Sequence, residues 1–175
     1  MSVRDALREV VRAGWSWMRS DRGLLLWAVL VGIAAGLLAV LMKQSVGGLR
    51  SVMFAIQSWV GGSWFLALGP ILGLAATGYV VQRVLGGEHP GPGIPSTLHA
   101  ISTRRGRMKR TWMFAPVVTS VLSVGFGGSG GLEAPAMQAG AAMGSEVASQ
   151  TRKHFRRRLL LIGCAAAGSL AAMFK

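Results

Sequence analysis

The sequence predicts an all-α, polytopic membrane protein built from broken or re-entrant helices. Three observations carry that prediction. Apolar residues make up 51% of the chain and charged residues only 14%, with 25 glycines among 175 residues. That balance is unlike an ordinary soluble domain. Long uncharged stretches recur at Gly23–Met42, Ser51–Gln82, Thr111–Leu132 and Leu159–Phe174. At about 1.5 Å per residue the first spans roughly 30 Å, the thickness of a bilayer's hydrocarbon core. Finally, two helix-interrupting motifs, GPGIP at 91–95 and GLEAP at 131–135, fall in or beside apolar segments. A buried soluble bundle would need helices with polar faces, and these stretches have none.

The elements follow in order. Residues 1–20 carry Val3, Leu7, Val10, Val11 and Trp15 at helical spacing with arginines on the other face, an amphipathic helix lying on the inner membrane surface. The apolar run after it starts too late and runs too long for a cleaved signal peptide, and no A-x-A site follows. Residues 21–175 form the transmembrane domain. Its first span starts near 22 and extends past Lys43 as a long tilted helix, weakened at Gly47-Gly48. A second span covers about 63–86, with Pro70 as a potential kink. The run GGEHPGPGIP (86–95) suits neither a long helix nor a central strand. A short helix starts at Pro95 and ends before the Arg104–Arg110 cluster. The next begins at Thr111 and reaches the glycine run GFGGSGG (125–131) after about 21 Å, still inside the bilayer. A fourth helix covers about 134–150, and a fifth begins near Phe155.

The formal net charge is +13, but its distribution argues against nucleic acid, which needs one basic face. Five arginines precede the first span, six basic residues lie between Arg83 and Arg110, and five lie between Arg152 and Arg158. Only Lys43 and Arg50 occupy the expected connection between the first two spans. Alternating basic and nearly neutral loops is the positive-inside pattern. It places the N-terminus, 83–110 and 152–158 in the cytoplasm and 43–62 outside, in a multi-pass protein of the cell (inner) membrane. The single cysteine, Cys164, excludes a disulfide framework and reads as a small core residue. His89, His99 and His154 share no metal-ligand spacing and read as solvated loop positions, so no metal and no cofactor are expected.

The two motifs carry the chemistry. Pro95 and Pro135 each suit the first turn of a helix, where the missing N–H would be unpaired anyway. Unpaired backbone groups in hydrocarbon are costly and survive only within protein or an aqueous cavity. Each motif therefore marks a helix N-terminus presenting free N–H donors and about half a positive charge. Two such ends aimed at one point form an anion site without a formal cation. A lysine or arginine there would hold the anion too tightly for release. Glu133 is the only charge between Thr111 and Ser145. Placed at the second N-terminus, its carboxylate is a tethered competitor for the site, a gate that vacates the seat when protonated or displaced. A simple capping carboxylate is the plainer alternative.

These residues resemble the CLC family of chloride channels and proton–chloride exchangers. GPGIP resembles that family's GSGIP motif, and GLEAP its G-K/R-E-G-P motif. The order of elements and the tail GCAAAGSLAAMFK (163–175) are similar as well, so the resemblance covers essentially the whole chain. It implies an inverted-repeat fold of which this chain holds an incomplete first repeat, and a homodimer when full length. It implies an inorganic anion as substrate, the lipid bilayer as surroundings and no enzymatic activity. It makes Glu133 the gating glutamate. It assigns anion binding to Gly91, Pro92, Gly93, Ile94 and Pro95 from the first motif, and to Gly131, Leu132, Ala134 and Pro135 from the second. The backbone N–H groups of Gly93, Ile94 and those around Glu133 and Ala134 are the contacts it implies. Pro92 replaces the family's usual serine and resembles a nitrate-preferring plant branch, so nitrate joins chloride as a substrate. Leu132 replaces a basic residue and Ala134 a glycine. Residues 1–175 alone are expected not to conduct.

Two rivals follow from the same residues. GFGGSG also fits G-x-G-x-x-G, the dinucleotide fingerprint of an oxidoreductase. That reading needs a preceding strand and an acid about 20 residues on, and no acid follows Glu146. The other rival is a truncated or degenerate membrane fragment with no transport of its own.

Overall fold

The computed structural model describes residues 21–60, 64–83, 91, 93–151 and 154–175. The expected surface helix 1–20, the run 84–90 and Pro92 lie outside the described residues. Helix α1 (Asp21–Val60) is one unbroken element of 40 residues, followed by α2 (Trp64–Arg83), α3 (Gly93–Thr103), α4 (Thr111–Gly125), α5 (Glu133–Gln150) and α6 (Phe155–Met173). Among the described residues there is no strand, which removes the βαβ unit that the dinucleotide reading requires.

Helix α1 continues past Lys43 as expected and then runs on through Gly47-Gly48 and Arg50 to Val60, where a connection was expected. A Cβ added to either glycine would meet no neighbouring element within 4 Å, and an intact ladder of backbone hydrogen bonds is favoured wherever water cannot replace it. Among the described residues, one helix is long and apolar enough to cross a membrane, Gly23–Trp59, and Thr111–Gly125 is a shorter apolar one. Both sides of α1 are apolar. Leu24, Val31, Ala35, Ala39, Met42 and Val46 are buried, while Leu25, Leu30, Ile33, Leu37 and Leu41 are more than half exposed. A helix in water would not carry that second face.

The core lies where α1, α5 and α6 meet. Leu24, Ala148 and Leu161 form one cluster, Val31, Ala35 and Ala165 a second, and Ala39, Met42 and Ala136 a third along α1. Small residues set the spacing. A Cβ on Gly36 would stand 3.3 Å from the Gly168 carbonyl, and one on Gly144 would stand 2.5 Å from the Leu161 carbonyl. Gly32-x-x-x-Gly36, Gly140-x-x-x-Gly144 and Gly69-x-x-x-Gly73 repeat one device: backbone meets backbone where lipid gives no hydrophobic drive for association. The third pair seats Phe126, just past the end of α4. Cys164, expected in the core, is exposed on α6, because the face that helix buries carries Leu161, Ile162, Ala165 and Ser169 instead.

Candidate functional site: two helix starts in contact

The glycine run ends α4 and aims α5. Gly127 adopts φ +96°, Gly128 N–H donates to the Ser123 carbonyl at 3.0 Å, and Gly127 N–H donates to Val124 at 3.1 Å. This paired closure satisfies carbonyls at the end of α4 and releases the chain to turn. Leu132 precedes α5 and is packed with Val117, Val121 and Ala172 around Ala39, Met42 and Ala136. Where the resembling motif has a basic residue, this chain thus has an apolar peg holding the start of α5 to α1 and α4. Glu133 is the first residue of α5, one earlier than expected, and no side chain caps the helix.

The first motif lies against the second. Helix α3 begins at Gly93 rather than Pro95, so the proline occupies its first turn. Gly93 has φ +47°, and a Cβ there would stand 2.9 Å from the Ala134 methyl and 3.4 Å from the Ala134 carbonyl. The N-termini of α3 and α5 are therefore in contact. Helix geometry leaves the N–H groups of Ile94, Glu133 and Ala134 without intrahelical partners. Gly93 N–H, expected to face an anion, donates instead to the Gly91 carbonyl at 2.9 Å. Pro95 and Pro135 have no N–H to give. Gly91, Ile94, Pro95 and Gly131 are exposed, whereas Leu132, Ala134 and Pro135 are half-buried and Gly93 is buried.

Glu133 is exposed at the surface of the described helices, so it lies at the rim of the contact between the two helix starts. Its carboxylate folds back over the entering loop, where a Cβ on Gly131 would stand 2.5 Å from Oε2. A bare glycine leaves room for that fold, which keeps the acid beside the N-terminus of its own helix.

Polar residues not singled out by the sequence tie α5 to the start of α3 and to the loop that follows α3. Gln138, 1% exposed, donates to Ser96 Oγ at 3.0 Å. At the far end buried Ser145 donates to the Gly106 carbonyl at 2.5 Å and accepts from Met108 N–H at 3.1 Å. Buried Arg158 donates to the Arg105 carbonyl at 3.2 Å, and Gly106, at φ +70°, packs against its side chain and Ile162. Burial and nearby Arg107 both push the Arg158 pKa below the usual guanidinium range. A polar amide and a serine among the alanines of α5 were the available signal, since buried polar groups are mostly hydrogen-bonded; Arg158 Nε is buried with no partner among the described residues. Among the described residues, no group of three or more His, Cys, Asp or Glu could hold a metal ion.

Comparison with known proteins identifies the family. Residues 72–175 match the profile of a family described as voltage gated chloride channel. Two curated relatives are named H(+)/Cl(-) exchange transporter ClcA. One is from Klebsiella pneumoniae strain 342, the other from K. pneumoniae subsp. pneumoniae strain ATCC 700721 / MGH 78578. Each is 30% identical over 177 residues, covering 97% of this chain and 36% of the relative. The chain thus spans about a third of the length of the curated relatives it matches. The match runs from α2 through both helix starts to the end of α6, and by it this chain belongs to the voltage-gated chloride channel family.

Proposed function

We propose that this chain supplies one side of an anion pathway through a membrane, with chloride as substrate and nitrate as a second candidate. The observation that carries the reading is the contact between Gly93 and Ala134, which puts the positive ends of two helices side by side. Their N–H groups would hold an anion without a fixed cation, weakly enough to let it go. Glu133 is the gate in this reading: an anion on a tether at the mouth of an anion seat. The names of the Klebsiella relatives favour proton-coupled exchange, and a carboxylate that must be protonated or displaced would couple the two fluxes. The bound anion is the only ligand required. The complete protein would be a multi-pass homodimer of the inner membrane with its N-terminus in the cytoplasm.

The test is flux from liposomes holding the complete protein that contains this chain. Chloride and then nitrate efflux are recorded together with proton movement. Anion efflux that drives protons, uncoupled by Glu133→Gln, supports the reading. Absence of efflux for both anions, or a Glu133→Gln variant indistinguishable from the parent, refutes it in favour of a non-transporting membrane component.

A further inference from the structure

The upper tie between α3 and α5 does more than satisfy a buried amide. Gln138 donates to Ser96 Oγ at 3.0 Å, and the Ser96 hydroxyl donates to the Gly93 carbonyl at 2.9 Å. Proton inventory sets the order. The hydroxyl has one hydrogen and gives it to a carbonyl, so the amide must present its N–H, not its oxygen. Thr97 adds a second donor to the same carbonyl at 3.0 Å. Ser96 also touches the turn above it, where a Cβ on Gly91 would stand 3.0 Å from the Ser96 Cβ. One serine thus contacts Gly91, binds Gly93 and receives Gln138.

Helix α3 has 11 residues, too few to hold itself in place. Its packing against α5 is apolar at Gly93 and Ala134, and apolar contact is non-directional. A hydrogen bond is directional and fixes height and rotation. We infer that Gln138 is a positioning residue: acting through Ser96, it sets the register of the start of α3 against the start of α5, and hence the separation of the Ile94, Glu133 and Ala134 N–H groups. This rests on the anion-seat reading above. A seat made of backbone donors distinguishes anions by that separation, so Gln138 governs selectivity without touching the ion.

Two readouts on the complete protein test this. In proteoliposomes, Gln138→Met and Ser96→Ala each raise the half-saturating chloride concentration about tenfold, the equivalent of one lost hydrogen bond, and change the chloride-to-nitrate ratio. The double variant is no worse than the weaker single, because both remove one relay. Ser96→Thr, which keeps the hydroxyl, recovers most of the affinity. In detergent, amide hydrogen exchange over residues 93–97 accelerates in Gln138→Met, while α6 keeps its protection and so reports an intact fold. Unchanged exchange at 93–97, an unchanged selectivity ratio, or effects of the two substitutions that multiply would overturn the inference. If the parent moves no anion, the transport reading fails, and the exchange data still decide whether Gln138 positions α3.

Discussion

Gly93 and Ala134 meet backbone to methyl: a Cβ on Gly93 would lie 2.9 Å from the Ala134 Cβ. The residue that starts α3 and the second residue of α5 therefore share a space that no side chain at position 93 can enter. Gly93→Ala adds that methyl and also forces φ +47° on an L-residue. We expect it to cost about 1–3 kcal/mol, read as a lower midpoint in thermal unfolding in detergent. Anion affinity should fall with it, because the two N-termini must separate. A variant as stable as the parent would show that the contact is slack.

Gly131→Ala addresses the pose of Glu133. The new methyl meets only the Glu133 carboxylate, the far end of a flexible side chain, so stability should change by less than about 0.5 kcal/mol. The carboxylate must swing away from the loop. If that pose is the closed gate, anion flux at neutral pH rises toward that of Glu133→Gln. Flux measured side by side for the parent and the two variants checks this.

Glycines in this chain fall into two classes with opposite predictions. Gly144 lies against the Leu161 carbonyl and Ile162 Cα, so alanine there collides with backbone and should destabilise by roughly 1–3 kcal/mol. Gly47 and Gly48 have nothing within 4 Å and lie inside α1. Alanine at either should stabilise by about 0.5–1 kcal/mol, by reducing the freedom of the unfolded chain. Unfolding midpoints of the three single variants give the order directly.

Ser145 fastens the basic loop by one accepted and one donated hydrogen bond. Ser145→Ala should cost about 1–3 kcal/mol. Its local signature is faster tryptic cleavage within Arg104–Arg110, since the turn through Arg105 (φ 52°) and Gly106 loses its tie to α5. Cleavage at the parent's rate would place the restraint on Arg158 instead.

Arg110 and Glu146 form an ion pair at 2.6 Å near the C-terminal end of α5, outside the apolar spans. The Arg110 hydrogen bond holds the Glu146 carboxyl below its usual range, with Gln150 helping and burial opposing. A depressed acid contributes stability that is present above its unfolded pKa of about 4.3 and is lost as pH falls through the lower folded value. Arg110 is three-quarters exposed, so the pair is worth only about 0.2–1 kcal/mol. Glu146→Gln should lower the unfolding midpoint slightly at pH 7, and the gap should close below about pH 4.

The sequence by itself determined the all-helical class, the positions of α2 to α6 within a few residues, and the two motifs of the candidate site. Uncharged runs and paired proline starts are local signals, and local backbone chemistry decides where a helix can begin. It carried α1 past Lys43 but not to Val60, because two glycines cost a helix only about 0.5–1 kcal/mol each, too little to end it. Only the tertiary structure decided that Gly93 meets Ala134, that Gly93 N–H turns inward to Gly91, that Cys164 faces outward, that Gln138 and Ser96 tie α3 to α5, and that Ser145 ties the following loop to α5. Those are contacts between residues far apart in the chain, set by how closely glycine-bearing helices can approach, and no periodicity along one helix encodes the face of another.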